Sequence, residues 1–141
     1  MAGETVEFKS NGASARGYLS VPADGAAGPG VVVIQEWWGL VPHIESVADR
    51  LAGEGFVALA PDLYHGEKTT SPDEAGKLMM ALDIERAERD LRGAINFLLA
   101  HPSVNSPEVG TVGFCMGGSL ALWSATLSDH IVVTACCWRV S

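Results

Sequence analysis

Gly113-Phe-Cys-Met-Gly-Gly118 stands between a β-branched run and an apolar run with helical character. Val109 to Phe114 is expected to be a strand, and Met116 to about Leu127 the helix after it. Glycines on either side of Cys115 let the backbone turn sharply without a Cβ clash, which lifts the cysteine side chain above the carboxyl end of the strand. A thiol at a helix N-terminus is held toward its thiolate form, and the thiolate is the nucleophile. The same spacing also fits a glycine-rich turn around a buried, unreactive cysteine.

Outward from this turn, strands and helices alternate. Val6 to Lys9 and Ala15 to Val21 read as a hairpin joined through Asn11-Gly12, a dipeptide that accepts positive φ. Gly30 to Ile34 is a continuous apolar run of the kind buried on both faces of a parallel sheet. Pro42 is expected in the first turn of a helix with Ile44, Val47, Ala48 and Leu51 on its apolar side, stopped by Gly53 and Gly55. Phe56 to Ala60 reads as another buried strand, followed by a long loop from Pro61 to Pro72. A helix with Ile84, Ala87, Leu91, Ala94, Ile95 and Leu98 on one face then runs to His101-Pro102. Ile131 to Ala135 begins one more strand. This order defines one α/β domain with a mostly parallel central sheet and helices on both faces.

Composition narrows the function classes. At 141 residues and 48% hydrophobic content the chain holds one sizeable core. The net charge of −8 disfavours nucleic acid and anionic membrane surfaces as partners. The apolar runs fall short of a membrane span, and the acidic N-terminus does not match a secretory signal, so a cytoplasmic location is expected. Three cysteines, two of them adjacent, encode neither a disulfide framework nor a zinc site, and no metal or cofactor is expected. Cys136 and Cys137 read as small buried hydrophobes.

Gly-x-Cys-x-Gly is the nucleophile elbow of α/β-hydrolases with Cys in place of Ser. Gln35-Glu-Trp-Trp-Gly39 follows the first buried strand, where such enzymes place an oxyanion-hole donor, and Pro61-Asp-Leu-Tyr64 follows the next. In this order and spacing, the three motifs resemble the dienelactone hydrolase (carboxymethylenebutenolidase) family from about Val6 to Leu127. The resemblance implies that Cys115 is the nucleophile, forming a thioester acyl-enzyme with a lactone or small carboxylic ester, and that Glu36 helps generate its thiolate. It further implies that the backbone N–H groups of Trp37 and Met116 form the oxyanion hole, and that Trp37, Trp38 and Tyr64 line the pocket. No arginine occurs in Ser71-Pro-Asp-Glu-Ala-Gly-Lys77, where the family has one for the substrate carboxylate, so dienelactone itself is not carried over as substrate.

Plainer roles stand beside these. Glu36 also fits a solvated loop carboxylate, and at least one of Trp37 and Trp38 a core anchor. Asp62 fits a turn cap, while His43, His65 and His101 are expected at the surface. After Cys115 the chain has one acid, Asp129, and one histidine, His130; adjacent in an extended segment, they point to opposite faces and do not complete a triad. The chain is therefore expected to be a C-terminally truncated α/β-hydrolase, lacking the last strands and helix, with impaired turnover. The alternatives are a catalytically inactive ligand-binding or assembly domain, or a redox-reactive thiol protein. Ile131 to Ala135 is expected to form an exposed edge strand through which a homodimer forms.

Overall fold

The computed structural model describes residues 3–114 and 116–137. Cys115 and the side chains of Cys136 and Cys137 lie outside the described residues. The chain opens with a hairpin, β1 (Glu4–Ser10) and β2 (Ala13–Ser20), antiparallel and joined by Asn11 at φ 44° and Gly12 at φ 85°. Both turn residues occupy the left-handed region, as expected from the Asn-Gly pair. Then follow β3 (Gly28–Ile34), α1 (Pro42–Gly53), β4 (Val57–Pro61), α2 (Pro72–Met80), α3 (Ile84–Ala100), β5 (Val104–Phe114), α4 (Met116–Ser124) and β6 (Ile131–Cys137).

Among the described residues, six strands form one sheet in the order β1-β2-β4-β3-β5-β6. β4, β3, β5 and β6 are parallel, and β2 joins them antiparallel through β4. The apolar continuity of Val31 to Ile34 is explained by burial on both sides. Val31 and Val33 pack with Ala58 and Ala60 against Ile44 and Ala48 of α1. Val32 and Ile34 face the other way, with Leu59, against Leu91, Ala94, Ile95 and Leu98 of α3 and Leu120 of α4. One helix thus covers one face and two cover the other, the arrangement that parallel crossovers produce. The carboxyl ends of β3, β4 and β5 come together at one edge of the core, and the segments that carry Glu36 and Tyr64 leave from there.

Three local expectations need correction. The stretch after Pro61 is not a loop leading to one helix, because α2 forms separately at Pro72–Met80. Pro72 sets its first turn, but it buries only Ala75, so it carries no apolar stripe to read. Ile84 does not join the core face of α3; it is the first helical residue and is 54% exposed. Asp129 and His130 do not lie in an extended segment but in a turn before β6. Val109, paired with Ile131, marks that end of the parallel strands, and the His130 carbonyl accepts from the Val109 N–H at 2.8 Å. Five residue steps along β5 separate Val109 from Phe114, roughly 16 Å at strand rise, so position as well as adjacency keeps this pair away from the elbow.

Candidate active site

The elbow is held by two contacts that exclude side chains. A Cβ on Gly113 would collide with the Gly117 carbonyl oxygen, and one on Gly117 would collide with that of Gln35. β5 therefore turns into α4 with the first turn of the helix pressed against the end of β3. Cys115 lies outside the described residues; its chain neighbours Phe114 and Met116 are both partly exposed.

Glu36 leaves the end of β3 on a tight turn in which the Gly39 N–H donates to the Glu36 carbonyl at 3.2 Å. Gly39 has φ 100°, and a Cβ there would come within 2.6 Å of the Glu67 carbonyl oxygen, so only glycine fits. The turn is docked to the loop after β4 by the Thr69 N–H, which donates to the Trp38 carbonyl at 3.0 Å. The Glu36 carboxylate is 23% exposed and lies 3.8 Å from His43 Nε2, the first-turn histidine of α1. His43 is 58% exposed, as its expected surface position requires, and its ring meets Phe114 edge-on at 6.4 Å between centroids. Trp37 and Trp38, both partly buried, form a T-shaped pair with ring centroids 5.3 Å apart.

Tyr64 comes to the same place from the end of β4. It is 8% exposed, and its hydroxyl donates to Met116 Sδ at 3.5 Å. Burial pushes the Tyr64 phenol up to about 12, so at neutral pH it stays protonated and able to donate. Asp62 takes the turn-cap role, with Oδ2 accepting from the Gly66 N–H at 2.7 Å.

Gln35 is fully buried and its Oε1 accepts from the Leu63 N–H at 2.9 Å, bracing the β3 and β4 loops together. Sequence inspection passes over this role because nothing local marks it. His65 also departs from its expected surface position: it is 20% exposed and its Nε2 lies 2.6 Å from Asp90 Oδ2, a carboxylate in the core-facing row of α3. His101, the third of the histidines expected at the surface, is partly buried and accepts from the Ser103 N–H through Nδ1 at 3.1 Å. The signal available for the His65 pair was the acid at Asp90, one helical turn from Ala87 and Ala94 on an otherwise apolar face. Among the described residues no group of three or more His, Cys, Asp or Glu is arranged to hold a metal ion.

A largely parallel sheet with a glycine-flanked turn after β5, a loop acid after β3 and an aromatic loop after β4 defines an α/β-hydrolase. The chain belongs to the dienelactone hydrolase family, whose pattern it matches over residues 15–138. It is 42% identical over 129 residues to protein usf of Aquifex pyrophilus, covering 87% of this chain and 55% of the relative. It is 34% identical over 131 residues to carboxymethylenebutenolidase 1 of Cupriavidus pinatubonensis, covering 86% and 55%. The solved structure of m3DLH superposes with a TM-score of 0.80 at 31% identity, over 93% of this chain and 57% of that one. The chain thus spans little more than half the length of these relatives. No helix among the described residues is long and apolar enough to cross a membrane.

Proposed function

We propose that the chain cleaves lactones or small carboxylic esters through Cys115, with Glu36 as its acid–base partner. What supports this is the packing at Gly113 and Gly117, two positions before and after the cysteine, which admits no Cβ at either, as a nucleophile elbow requires. In the proposed reaction Glu36 takes the thiol proton, and the thiolate attacks the ester carbonyl carbon. The developing oxyanion receives the backbone N–H groups of Trp37 and Met116; losing one such donor typically costs roughly 3–4 kcal/mol of transition-state stabilisation. The carbon–oxygen bond then breaks, the leaving alkoxide takes the proton from Glu36, and a thioester remains on Cys115. Trp37, Trp38 and Tyr64 line the acyl site.

Water must then hydrolyse the thioester, and a base is needed for that step. Asp129 and His130 sit at the far end of β5 and β6, so within this chain acylation outpaces deacylation. That same placement favours a second reading, in which the domain binds ester ligands without turning them over. Incubation with p-nitrophenyl acetate followed by intact-mass measurement separates the two. Slow turnover with an acetyl adduct on Cys115, abolished in Cys115→Ala, supports the hydrolase; no adduct and no turnover supports the binding domain; peroxide-dependent oxidation without acylation points to a redox thiol.

The net charge of −8 disfavours nucleic acid and anionic membrane surfaces as partners. Among the described residues β6 stands last in the strand order, and we read it as an edge along which two copies of this chain pair. Sedimentation showing only monomer at high concentration would overturn that pairing.

A further inference from the structure

We propose that His65 is a positioning residue that sets the size of the acyl site, holding Tyr64 against the elbow helix through a buried clasp to Asp90. The proposal rests on the hydrolase reading above. Asp90 is 1% exposed on α3, and its two carboxylate oxygens are separately engaged: Ser10 Oγ donates to Oδ1 at 2.7 Å, and His65 Nε2 donates to Oδ2 at 2.6 Å. A buried carboxylate demands such partners. Gly93 makes the approach possible, since a Cβ there would collide with the Lys9 carbonyl oxygen and push α3 off β1. The set is not a second catalytic triad, because the carboxylate lies between the hydroxyl and the imidazole, and Ser10 is itself 2% exposed.

What the clasp holds is the loop after β4. His65 is kept at φ 52°, in the left-handed region, within a turn closed by Asp62 Oδ2 accepting from the Gly66 N–H and by the Glu67 N–H donating to the Tyr64 carbonyl at 3.3 Å. A line of contacts thus runs from Met116 through Tyr64, His65 and Asp90 to Ser10, joining the elbow helix to the far edge of the sheet. Tyr64 and His65 also line a cavity of about 210 Å³, together with Leu63, Leu78, Leu82 and Arg86 among others. Once His65 is released, the Tyr64 loop has this space to relax into. The acyl site then enlarges at the tyrosine side, while the elbow glycines and Glu36 keep their own supports.

The experiment uses the full chain and reads the rate at which p-nitrophenyl acetate and p-nitrophenyl butyrate acylate Cys115, together with amide exchange at Gly66 and Glu67. His65→Asn accepts the left-handed backbone but falls short of Asp90. It is expected to shift the butyrate-to-acetate ratio toward butyrate by about tenfold, the scale at which apolar pockets discriminate methylenes, and to speed both amides. Ser10→Ala is expected to lower the melting temperature without moving the ratio. His65→Gln, long enough to donate to Asp90, is expected to restore the wild-type ratio. An unchanged ratio in a folded His65→Asn, or an equal shift in Ser10→Ala, overturns the proposal. If neither ester acylates Cys115 in the wild-type chain, the hydrolase reading falls, and the selectivity role falls with it.

Discussion

The Tyr64 hydroxyl donates to Met116 Sδ at 3.5 Å, tying the loop after β4 to the first residue of the elbow helix. A phenol buried in this way ionises late, and its folded-state value of about 12 compares with 10.0 for a free tyrosine. Between these two pH values the unfolded chain releases the proton and the folded chain keeps it, so rising pH favours unfolding. The contribution is absent below about pH 10 and grows by roughly 1.4 kcal/mol per pH unit up to about 12. Urea midpoints for wild type and Tyr64→Phe at pH 8 and pH 11 check this: the wild type is expected to lose more stability over that interval than the variant. Equal losses would show that Tyr64 titrates normally.

Gly113 and Gly117 admit no Cβ without displacing the backbone carbonyls of Gly117 and Gln35 respectively. Displaced backbone is costlier than a displaced flexible side chain, so Gly113→Ala and Gly117→Ala are each expected to lose about 3 kcal/mol or more. Gly53 is the internal control. It closes α1 with nothing within 4 Å of its Cβ direction, and Gly53→Ala is expected to gain about 0.5 kcal/mol through the unfolded state. Denaturant melts of the three variants measure the contrast.

Features written into neighbouring residues were legible before the structure. The Asn11-Gly12 hairpin, the two-face burial of β3, the Pro42 start of α1 and the elbow glycines each follow from local spacing. Contacts between distant segments were not. Ser10 and Asp90 are 80 residues apart and His65 and Asp90 are 25 apart, and only the packing of α3 on β1 and on β4 brings them together. The same holds for Gln35 and Leu63. The adjacency of Asp129 and His130 already marks them as an incomplete pair, yet the stronger reason is the parallel register of β5 and β6, which a local pattern does not contain.

Asp83 caps α3, its Oδ1 accepting from the Glu85 N–H at 3.0 Å and the Arg86 N–H at 3.2 Å. Asp83→Ala is expected to cost about 1 kcal/mol, and Asp83→Ser to recover most of it. Because α3 carries Asp90, fraying from Asp83 also loosens the clasp on His65. Asp83→Ala is therefore expected to speed amide exchange at Gly66 slightly, which Asp83→Ser should not do.

Gln35 Oε1 accepts from the Leu63 N–H at 2.9 Å in a site with no exposure, so the two loops that carry Glu36 and Tyr64 meet through one buried amide. Gln35→Leu fills similar space but leaves the Leu63 N–H with no acceptor there. Stranding one buried donor costs about 1–3 kcal/mol, more than the hydrogen bond itself contributes when both partners are present. Gln35→Glu keeps an acceptor at the price of placing a carboxylate in an unexposed site, where the protonated form is strongly favoured. It is therefore expected to be destabilising at pH 8 and to recover stability as the pH falls toward 5, whereas the deficit of Gln35→Leu stays constant over that range. Urea midpoints at the two pH values distinguish them, and a parallel pH response in both variants would sink the assignment of Gln35 as a buried acceptor.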